Sequence, residues 1–188
     1  MLIPFKCNEV RVTSPYGTRT LNGETAHHGG YDMVGVGSSD ICAVVGGSVV
    51  HSRIITDKSN PTWQWGNYVC IRGTDGRLYY YCHMKSRAVK VGDKVKVGDK
   101  LGVMGNTGYS FGAHLHFEVR EGSKAICPDG VIGIPNKTGT YTRKTQFEMD
   151  IDALVVKGVI NSPEYWLKRE KIDKHFPALI HKFAEMVK

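Results

Sequence analysis

The segment VKVGDKVKVGDKLGVMGNTGYSFGAHLHFEV (residues 89–119) decides the fold of this chain. It contains the sequence KVGDK twice, at 90–94 and at 96–100. Each copy places a Gly-Asp pair between residues with strand preference, which predicts two successive strand–turn units. The copies are too short to be the repeats of a solenoid.

The end of this segment, GAHLHFEV (112–119), alternates polar and apolar residues and is therefore predicted to be a half-buried strand. Side chains alternate between the two faces of a strand, so His114, His116 and Glu118 share one face. The other face presents three core residues, which are Leu115, Phe117 and Val119.

Other strands are predicted on both sides of this segment, at 44–52, 68–73 and 78–84, where Val, Ile and Tyr predominate. The tetrapeptide Thr-Asp-Gly-Arg at 74–77 is a hairpin-turn signal between two of them. The predicted fold class is mainly β, with an antiparallel sandwich or barrel-like domain over residues 1–133.

The pattern changes after a predicted linker, IPNKTGTYTRKT (134–145). One helical stripe follows it, and a second lies near the C-terminus, so residues 146–188 are predicted to form a small helical subdomain. The first stripe is Phe147, Ile151, Leu154 and Val155, and the second is Phe176, Leu179, Ile180, Phe183 and Val187.

Composition excludes several classes of protein. Hydrophobic residues make up 41% and charged residues 23% of the 188 residues, which is too apolar for a disordered chain. No apolar run approaches the ~20 residues of a membrane span. The start, MLIPFK, lacks the pattern of a secretory signal, so we expect synthesis in the cytoplasm without a signal peptide.

Charge and cysteine content are weaker indicators. The net charge of +7 favours anionic partners, but no Lys/Arg block or zinc-finger spacing accompanies it, so nucleic acid is not an expected partner. Five cysteines form no C-x-x-C pair, and an odd number cannot pair completely within one chain. We expect reduced, mostly buried thiols.

Two histidine motifs suggest a metal site. In AHHGGYD (26–32), two glycines between His28 and Asp32 let the backbone fold tightly, so that both side chains can reach one ion. A catalytic zinc site needs three protein ligands and an open fourth position, and His28, Asp32 and His116 would supply the ligands. The adjacent His27 fits this spacing less well and is expected to face solvent or to support a ligand. A fourth histidine, His83, follows an apolar strand.

The ordered combination of these motifs resembles the lysostaphin-type, LytM-like zinc metallopeptidases that cleave peptidoglycan peptides. VTSPYGTR (12–19) is similar to the opening of that family, HHGGYD to its H-x-G-x-D motif, and LYYYCHM to its third-histidine segment. The stretch 89–119 is similar to its most characteristic part, and the resemblance covers about 110 residues in all.

The resemblance implies Zn²⁺ on His28, Asp32 and His116, with His83 and His114 catalytic and not bound to metal. It implies an endopeptidase that hydrolyses cross-links or stem peptides of bacterial peptidoglycan and lyses the cell. We assign His114 as general base and His83 as stabiliser of the oxyanion, although the two roles could be shared or exchanged.

The sequence departs from the family in the connection 53–67, which is longer than usual and contains Trp63 and Trp65. These tryptophans either line the substrate groove or pack as an ordinary hydrophobic loop. Glu118 lies on the metal face, where hydrogen bonding to a neighbour is the simpler expectation.

The tail segment 154–170 is similar to the helical ends of some phage and bacillar lysis proteins. With the missing signal peptide, it suggests a phage-type endolysin that reaches the wall through a membrane hole or on a virion. We expect the helical subdomain 146–188 to bind the cell wall, to self-associate or to stabilise the protein. The main alternative is a non-catalytic family member that binds the wall or activates another hydrolase. A biotinyl- or lipoyl-like carrier domain would explain the V-x-x-G-D repeats but none of the histidines.

Overall fold

The computed structural model describes residues 1–21, 23–169 and 176–186. The strands are β1 (Glu9–Ser14), β2 (Gly17–Leu21), β3 (Glu24–His28), β4 (Tyr31–Gly35), β5 (Asp40–Cys42), β6 (Gly47–Arg53), β7 (Tyr68–Gly73), β8 (Leu78–Cys82), β9 (Met84–Arg87), β10 (Lys94–Val95), β11 (Lys100–Met104), β12 (Leu115–Glu121), β13 (Lys124–Ile126) and β14 (Gly139–Thr142). The helices are α1 (Asp129–Ile132), α2 (Gln146–Val156), α3 (Pro163–Arg169) and α4 (Phe176–Met186), and a 3₁₀ turn spans Trp63–Trp65.

The largest sheet has the order β10-β6-β7-β8-β12-β4-β1-β14, with β13 also paired to β12. The strands β5, β11 and β9 form a second sheet, and β2 and β3 form a hairpin. Every pairing between these strands is antiparallel, so the predicted fold class is confirmed.

Two turn predictions are also confirmed. The tetrapeptide at 74–77 joins β7 to β8, with Gly76 at a positive φ. In each KVGDK copy the aspartate side chain accepts a hydrogen bond from the backbone N–H three residues earlier, at 2.9 Å for Asp93 and 2.8 Å for Asp99. The strands β10 and β11 begin directly after these turns.

The core of the β-rich unit is formed by the apolar face of its strands. The three predicted core residues of β12, namely Leu115, Phe117 and Val119, are fully buried. The opposite face of β12 is also covered, since His116 and Glu118 are buried there. The central strand therefore holds polar side chains in a defined, largely water-excluded position, which is a requirement for precise ligand geometry.

The chain divides into two compact units, Met1–Arg143 and Lys144–Lys188. Part of the segment predicted as a linker belongs to the first unit, because β14 pairs with β1. The period-2 pattern of a four-residue edge strand is too short to distinguish from a linker in the sequence.

The second unit contains α2, α3 and α4. A capping box begins α2: the Thr145 side chain accepts from the backbone of Glu148, whose carboxylate accepts from the backbone of Thr145. The first predicted stripe is buried at Phe147, Ile151 and Leu154, whereas Val155 lies at its exposed margin.

The second predicted stripe is only partly buried. On α4, Ile180 and Ala184 are buried, but Leu179 and Phe183 are about half exposed, and Val187 lies outside the described residues. The buried face of α4 is thus narrower than its hydrophobic residues suggest. On the same helix, His181 is hydrogen-bonded to the buried Asp150 of α2.

None of the helices in the described ranges is long and apolar enough to cross a membrane. All five cysteines are free; Cys42, Cys70 and Cys82 are buried, and Cys7 and Cys127 are partly buried.

Candidate metal centre and catalytic cleft

Strand pairing brings the predicted metal ligands together. His116 on β12 lies directly opposite Asp32 on β4 in the antiparallel register, so both side chains project from the same face. His28 is the last residue of β3, and the Gly29-Gly30 connection returns the chain into β4. The H-x-x-x-D motif therefore works as a tight turn between two strands.

The three ligand atoms form a nearly equilateral triangle. His28 Nε2, His116 Nδ1 and Asp32 Oδ1 lie 3.0 Å from one another. Two imidazole nitrogens and one carboxylate oxygen are a donor set that zinc accepts in catalytic sites, with one position left for water. In the described part of the chain, these residues are the one group of three or more His, Cys, Asp or Glu side chains that could hold a metal ion.

Each ligand is fixed from behind by a hydrogen bond. His28 Nδ1 donates to the Pro15 carbonyl at 2.7 Å, and His116 Nε2 donates to Glu118 Oε2 at 3.2 Å. Arg19 Nη1 donates to Asp32 Oδ2 at 2.9 Å. These bonds leave one nitrogen of each histidine and one oxygen of the aspartate for the ion, as in known second-sphere arrangements.

The carboxylates control the charge of the centre. Burial alone would raise the pKa of Asp32, but hydrogen bonds from the surrounding histidines hold it far below its usual value. Burial alone would lower the pKa of His116, but its bonds to Asp32 and Glu118 raise it to about 9. A divalent cation at this centre would compete with a proton for His116 Nδ1.

The two predicted catalytic histidines stand beside the triangle. The His83 and His114 rings are 4.7 Å apart between centroids, and His114 Nε2 lies 3.5 Å from Asp32 Oδ1. His83 Nδ1 donates to the Thr107 carbonyl and His114 Nδ1 to the Gly112 carbonyl, each at 2.8 Å. Both rings consequently turn Nε2 into the site as a proton acceptor.

The backbone and pKa of His83 are unusual. Among the described residues other than glycine, only His83 has a positive φ, of 61°, a conformation that costs free energy and is concentrated at functional sites. Burial lowers the pKa of His83 to about 4. A donor role for this ring therefore requires a proton that arrives during the reaction.

A cleft of about 580 Å³ opens over the triangle. Its walls include Trp65 from the long connection 53–67 and Tyr109 and Phe111 from the loop before β12. Phe111 is 83% exposed and Tyr109 62% exposed, so these rings stand at the rim. Trp63 packs beside Tyr109 instead, with 6.5 Å between ring centroids.

The structure brings all five predicted site residues to one cleft. His27 is exposed and packs edge-on against Tyr16, outside the triangle. Glu118 is hydrogen-bonded to His116 and paired with Arg120, which agrees with the expectation that it bonds to a neighbour.

Sequence reasoning missed the supporting groups. The carbonyls of Pro15 and Thr107 carry no signal in the sequence, since backbone oxygens are present at every position. Arg19 stands at the end of the motif VTSPYGTR (12–19), but the motif alone did not indicate that its side chain binds Asp32. Arg120 could have been found, because it continues the alternation of His116 and Glu118 along β12.

Comparison with known proteins agrees with this geometry. The sequence model described as peptidase family M23 matches residues 26–128, which include every member of the triangle and both further histidines. The chain belongs to peptidase family M23. The matched region ends before the helical unit, which begins at Lys144.

Curated M23 relatives differ in their described roles. The chain is 35% identical over 128 residues to an uncharacterized metalloprotease of Buchnera aphidicola, covering 66% of this chain and 32% of that protein. It is 35% identical over 111 residues to the peptidoglycan DD-endopeptidase ShyC of Vibrio cholerae (57% and 24%). It is 32% identical over 99 residues to the murein hydrolase activator NlpD of Escherichia coli (53% and 24%). The chain thus spans about a quarter to a third of the length of these relatives.

Solved structures show the same fold. The catalytic domain of the antimicrobial peptidase lysostaphin from Staphylococcus simulans is similar with a TM-score of 0.54 and 30% identity, over 64% of this chain and 90% of that one. The catalytic domain of the prophage-encoded M23 protein EnpA from Enterococcus faecalis gives a TM-score of 0.54 and 32% identity, over 69% and 92%.

Proposed function

We propose that this protein is a zinc-dependent endopeptidase that hydrolyses peptide bonds of bacterial peptidoglycan. The observation that carries the proposal is the complete site: three candidate ligand atoms lie 3.0 Å apart, and two flanking histidines each turn Nε2 towards them. The relationship to a peptidoglycan DD-endopeptidase supports the class of substrate.

His28, Asp32 and His116 would hold the zinc ion. When bound, zinc supplies a water of lowered pKa and polarises the carbonyl of the bond to be cut. His114 is placed to take a proton, since its Nδ1–H is engaged by Gly112 and its Nε2 faces the triangle. His83, fixed by Thr107, presents a second acceptor on the same side, and once protonated it would stabilise negative charge on the substrate oxygen.

The cleft walls would position the peptide. The rim rings of Tyr109 and Phe111 lie in the same loop as Gly112, whose carbonyl orients His114. A substrate that contacts these rings is therefore held close to the reacting groups. We propose the cleft side of Trp65 as a further part of this surface.

The test is mass spectrometry of purified peptidoglycan from several wall chemotypes after digestion with the protein. New peptide N-termini are expected with the zinc-loaded protein, and they should disappear after chelation and in a His116→Ala variant. The control variant His27→Ala removes a neighbouring histidine without removing a ligand, and should keep stoichiometric zinc.

A second candidate function is activation of another hydrolase, which the similarity to NlpD favours. Intact peptides on every wall, from folded and zinc-loaded protein, would select this function over hydrolysis. Action at the cell wall is common to both functions.

The route to the wall and the role of the helical unit remain predictions. We propose release as a phage-type endolysin, with lysis of the cell, as one route to the wall. Binding of isolated walls by the full chain and by a chain ending at Thr142, together with their mass in solution, would distinguish wall binding from self-association and stabilisation.

A further inference from the structure

The support behind the metal ligand His116 extends further than one hydrogen bond. His116 Nε2 donates to one oxygen of Glu118, and the other oxygen of Glu118 accepts from Arg120 Nε. Glu118 is only 3% exposed. Opposite it lies Gly29, where a side-chain carbon would stand 3.3 Å from Glu118 Oε2, so the turn between the ligands leaves room for this carboxylate.

Arg120 is itself held by two aromatic rings. Its guanidinium carbon lies 5.0 Å from the centroid of Trp65 and 5.2 Å from that of Tyr80. The two rings lie 5.1 Å from each other. A guanidinium against aromatic faces is stabilised by the charge distribution of the rings and loses freedom to rotate.

These groups come from three separate parts of the chain. Tyr80 on β8 is the cross-strand partner of Glu118, so sheet register places its ring near Arg120. Trp65 comes from the long connection 53–67, and its backbone carbonyl accepts the N–H of His83 at 2.8 Å. The same residue thus contacts the support of a metal ligand through its ring and the backbone of a catalytic histidine through its carbonyl.

The arrangement matters for the metal because a histidine must present an unprotonated nitrogen to it. For His116 that nitrogen is Nδ1, so the proton of the neutral ring must stay on Nε2, where an acceptor has to be fixed. Glu118 is that acceptor, and a buried carboxylate keeps its orientation and charge only while it is paired. Arg120 supplies the pairing, and the rings fix Arg120.

We propose that Trp65 and Tyr80 form a clamp on Arg120 which, through Glu118, sets the orientation and tautomer of His116 and thereby the affinity for zinc. Trp65 and Arg120 are positioning residues that do not contact the ion. The inference rests on the proposed zinc site and assigns a role to the long connection that distinguishes this chain.

The experiment measures the zinc dissociation constant of the full chain by competition with a chromophoric chelator. The variants Trp65→Leu and Arg120→Lys are expected to bind zinc about 10- to 100-fold more weakly, the usual effect of losing a second-sphere partner. Trp65→Phe keeps an aromatic face and should recover most of the affinity.

Two matched controls make the same kinds of substitution, at a tryptophan and at an arginine that are not part of the clamp. Trp63→Leu changes the other tryptophan of the same 3₁₀ turn, which contacts Lys58 and Tyr109. Arg77→Lys changes an arginine that pairs with Asp75 and with Glu121, the last residue of β12, and not with Glu118. Both should bind zinc with the affinity of the unchanged protein.

A second readout does not involve metal. In the metal-free protein, imidazole ¹⁵N chemical shifts of His116, recorded above its pKa, should report a proton on Nε2, and Arg120→Lys should shift the population towards Nδ1. Purely structural damage would lower the melting temperature without changing the tautomer.

The outcomes are separable. Equal zinc affinities for Arg120→Lys and Arg77→Lys would overturn the proposed clamp. If near-UV circular dichroism shows that Trp65→Leu does not fold, the comparison of these two arginine variants tests the clamp without it. If the unchanged protein does not bind one zinc ion, the proposed function fails together with the clamp. If it binds one ion with an affinity that no clamp variant alters, the proposed function stands and the clamp fails.

Discussion

Replacing Gly108 with alanine is expected to disable the proposed catalysis while leaving the proposed zinc ligands in place. Gly108 has a φ of +75°, and a side-chain carbon there would stand 2.3 Å from the backbone nitrogen of Gly66 and 2.6 Å from the carbonyl oxygen of Trp63. The connection 53–67 and the loop before β12 cross at this point with no space for a methyl group. The flanking Thr107 carbonyl holds His83.

The expected magnitude follows from two contributions. A left-handed backbone costs alanine about 1–2 kcal/mol. Forcing a methyl group into a packed site costs about 1–3 kcal/mol more, which gives a loss of unfolding free energy of roughly 2–5 kcal/mol. To reach an ordinary contact of 3.4 Å, the loops must separate by about 1 Å, and such a displacement of a catalytic group can lower kcat about 100-fold.

The matched control is Gly92→Ala. Gly92 has a φ of +94° with nothing within 4 Å of the added carbon, so this variant carries the backbone cost alone. Urea unfolding of both zinc-loaded variants gives the difference in unfolding free energy, and cleavage of peptidoglycan fragments and a zinc titration complete the comparison. If Gly108→Ala matches Gly92→Ala in stability and the unchanged protein in kcat, the crossing of the two loops does not position the proposed catalytic histidines.

Three further predictions concern the metal, a thiol and the helical unit. Removal of zinc from protein at a free zinc concentration of 100 times Kd should lower the unfolding free energy by about 2.7 kcal/mol, and a thermal melt of His28→Ala, which lacks a ligand, should not respond to zinc. Burial raises the pKa of the Cys70 thiol to about 12 from 9.0. At pH 9 the thiolate fraction, and with it the alkylation rate, should therefore be about 500-fold lower in folded than in urea-unfolded protein. Equal rates would show that the thiol is accessible. Thr145→Ala removes the capping box of α2 and should destabilise the helical unit by about 1 kcal/mol. The measurement is urea unfolding followed through Trp166 fluorescence, in a protein in which Trp63 and Trp65 are replaced by Phe. The control Thr142→Ala lies outside the cap and should change the unfolding free energy far less.

The sequence was most informative where a short period governs the structure. Alternation along 112–119 assigned His116 and Glu118 to one face of β12 and Phe117 to the other, because side-chain direction in a strand depends only on position parity. The glycine and aspartate turns were readable for the same reason: their conformations depend on a few adjacent residues.

Helix burial was less predictable. The predicted stripe on α4 includes Leu179, Ile180 and Phe183, but of these three only Ile180 is buried. Ala184, which the predicted stripe did not include, is buried as well. Which part of an apolar stripe is covered depends on the partner helix, and the bond between His181 and the buried Asp150 is such a partner effect.

By itself, the sequence determined the mainly β fold and the donor types of the centre, since motif spacing and strand alternation are local properties of the chain. Only the tertiary structure decided that His28, Asp32 and His116 converge within 3.0 Å, because strand register joins residues far apart in sequence. It also decided which nitrogen of each histidine faces the site. The groups that fix those nitrogens are backbone carbonyls and a carboxylate under an arginine–aromatic clamp, and their positions exist only once the loops and sheets have packed.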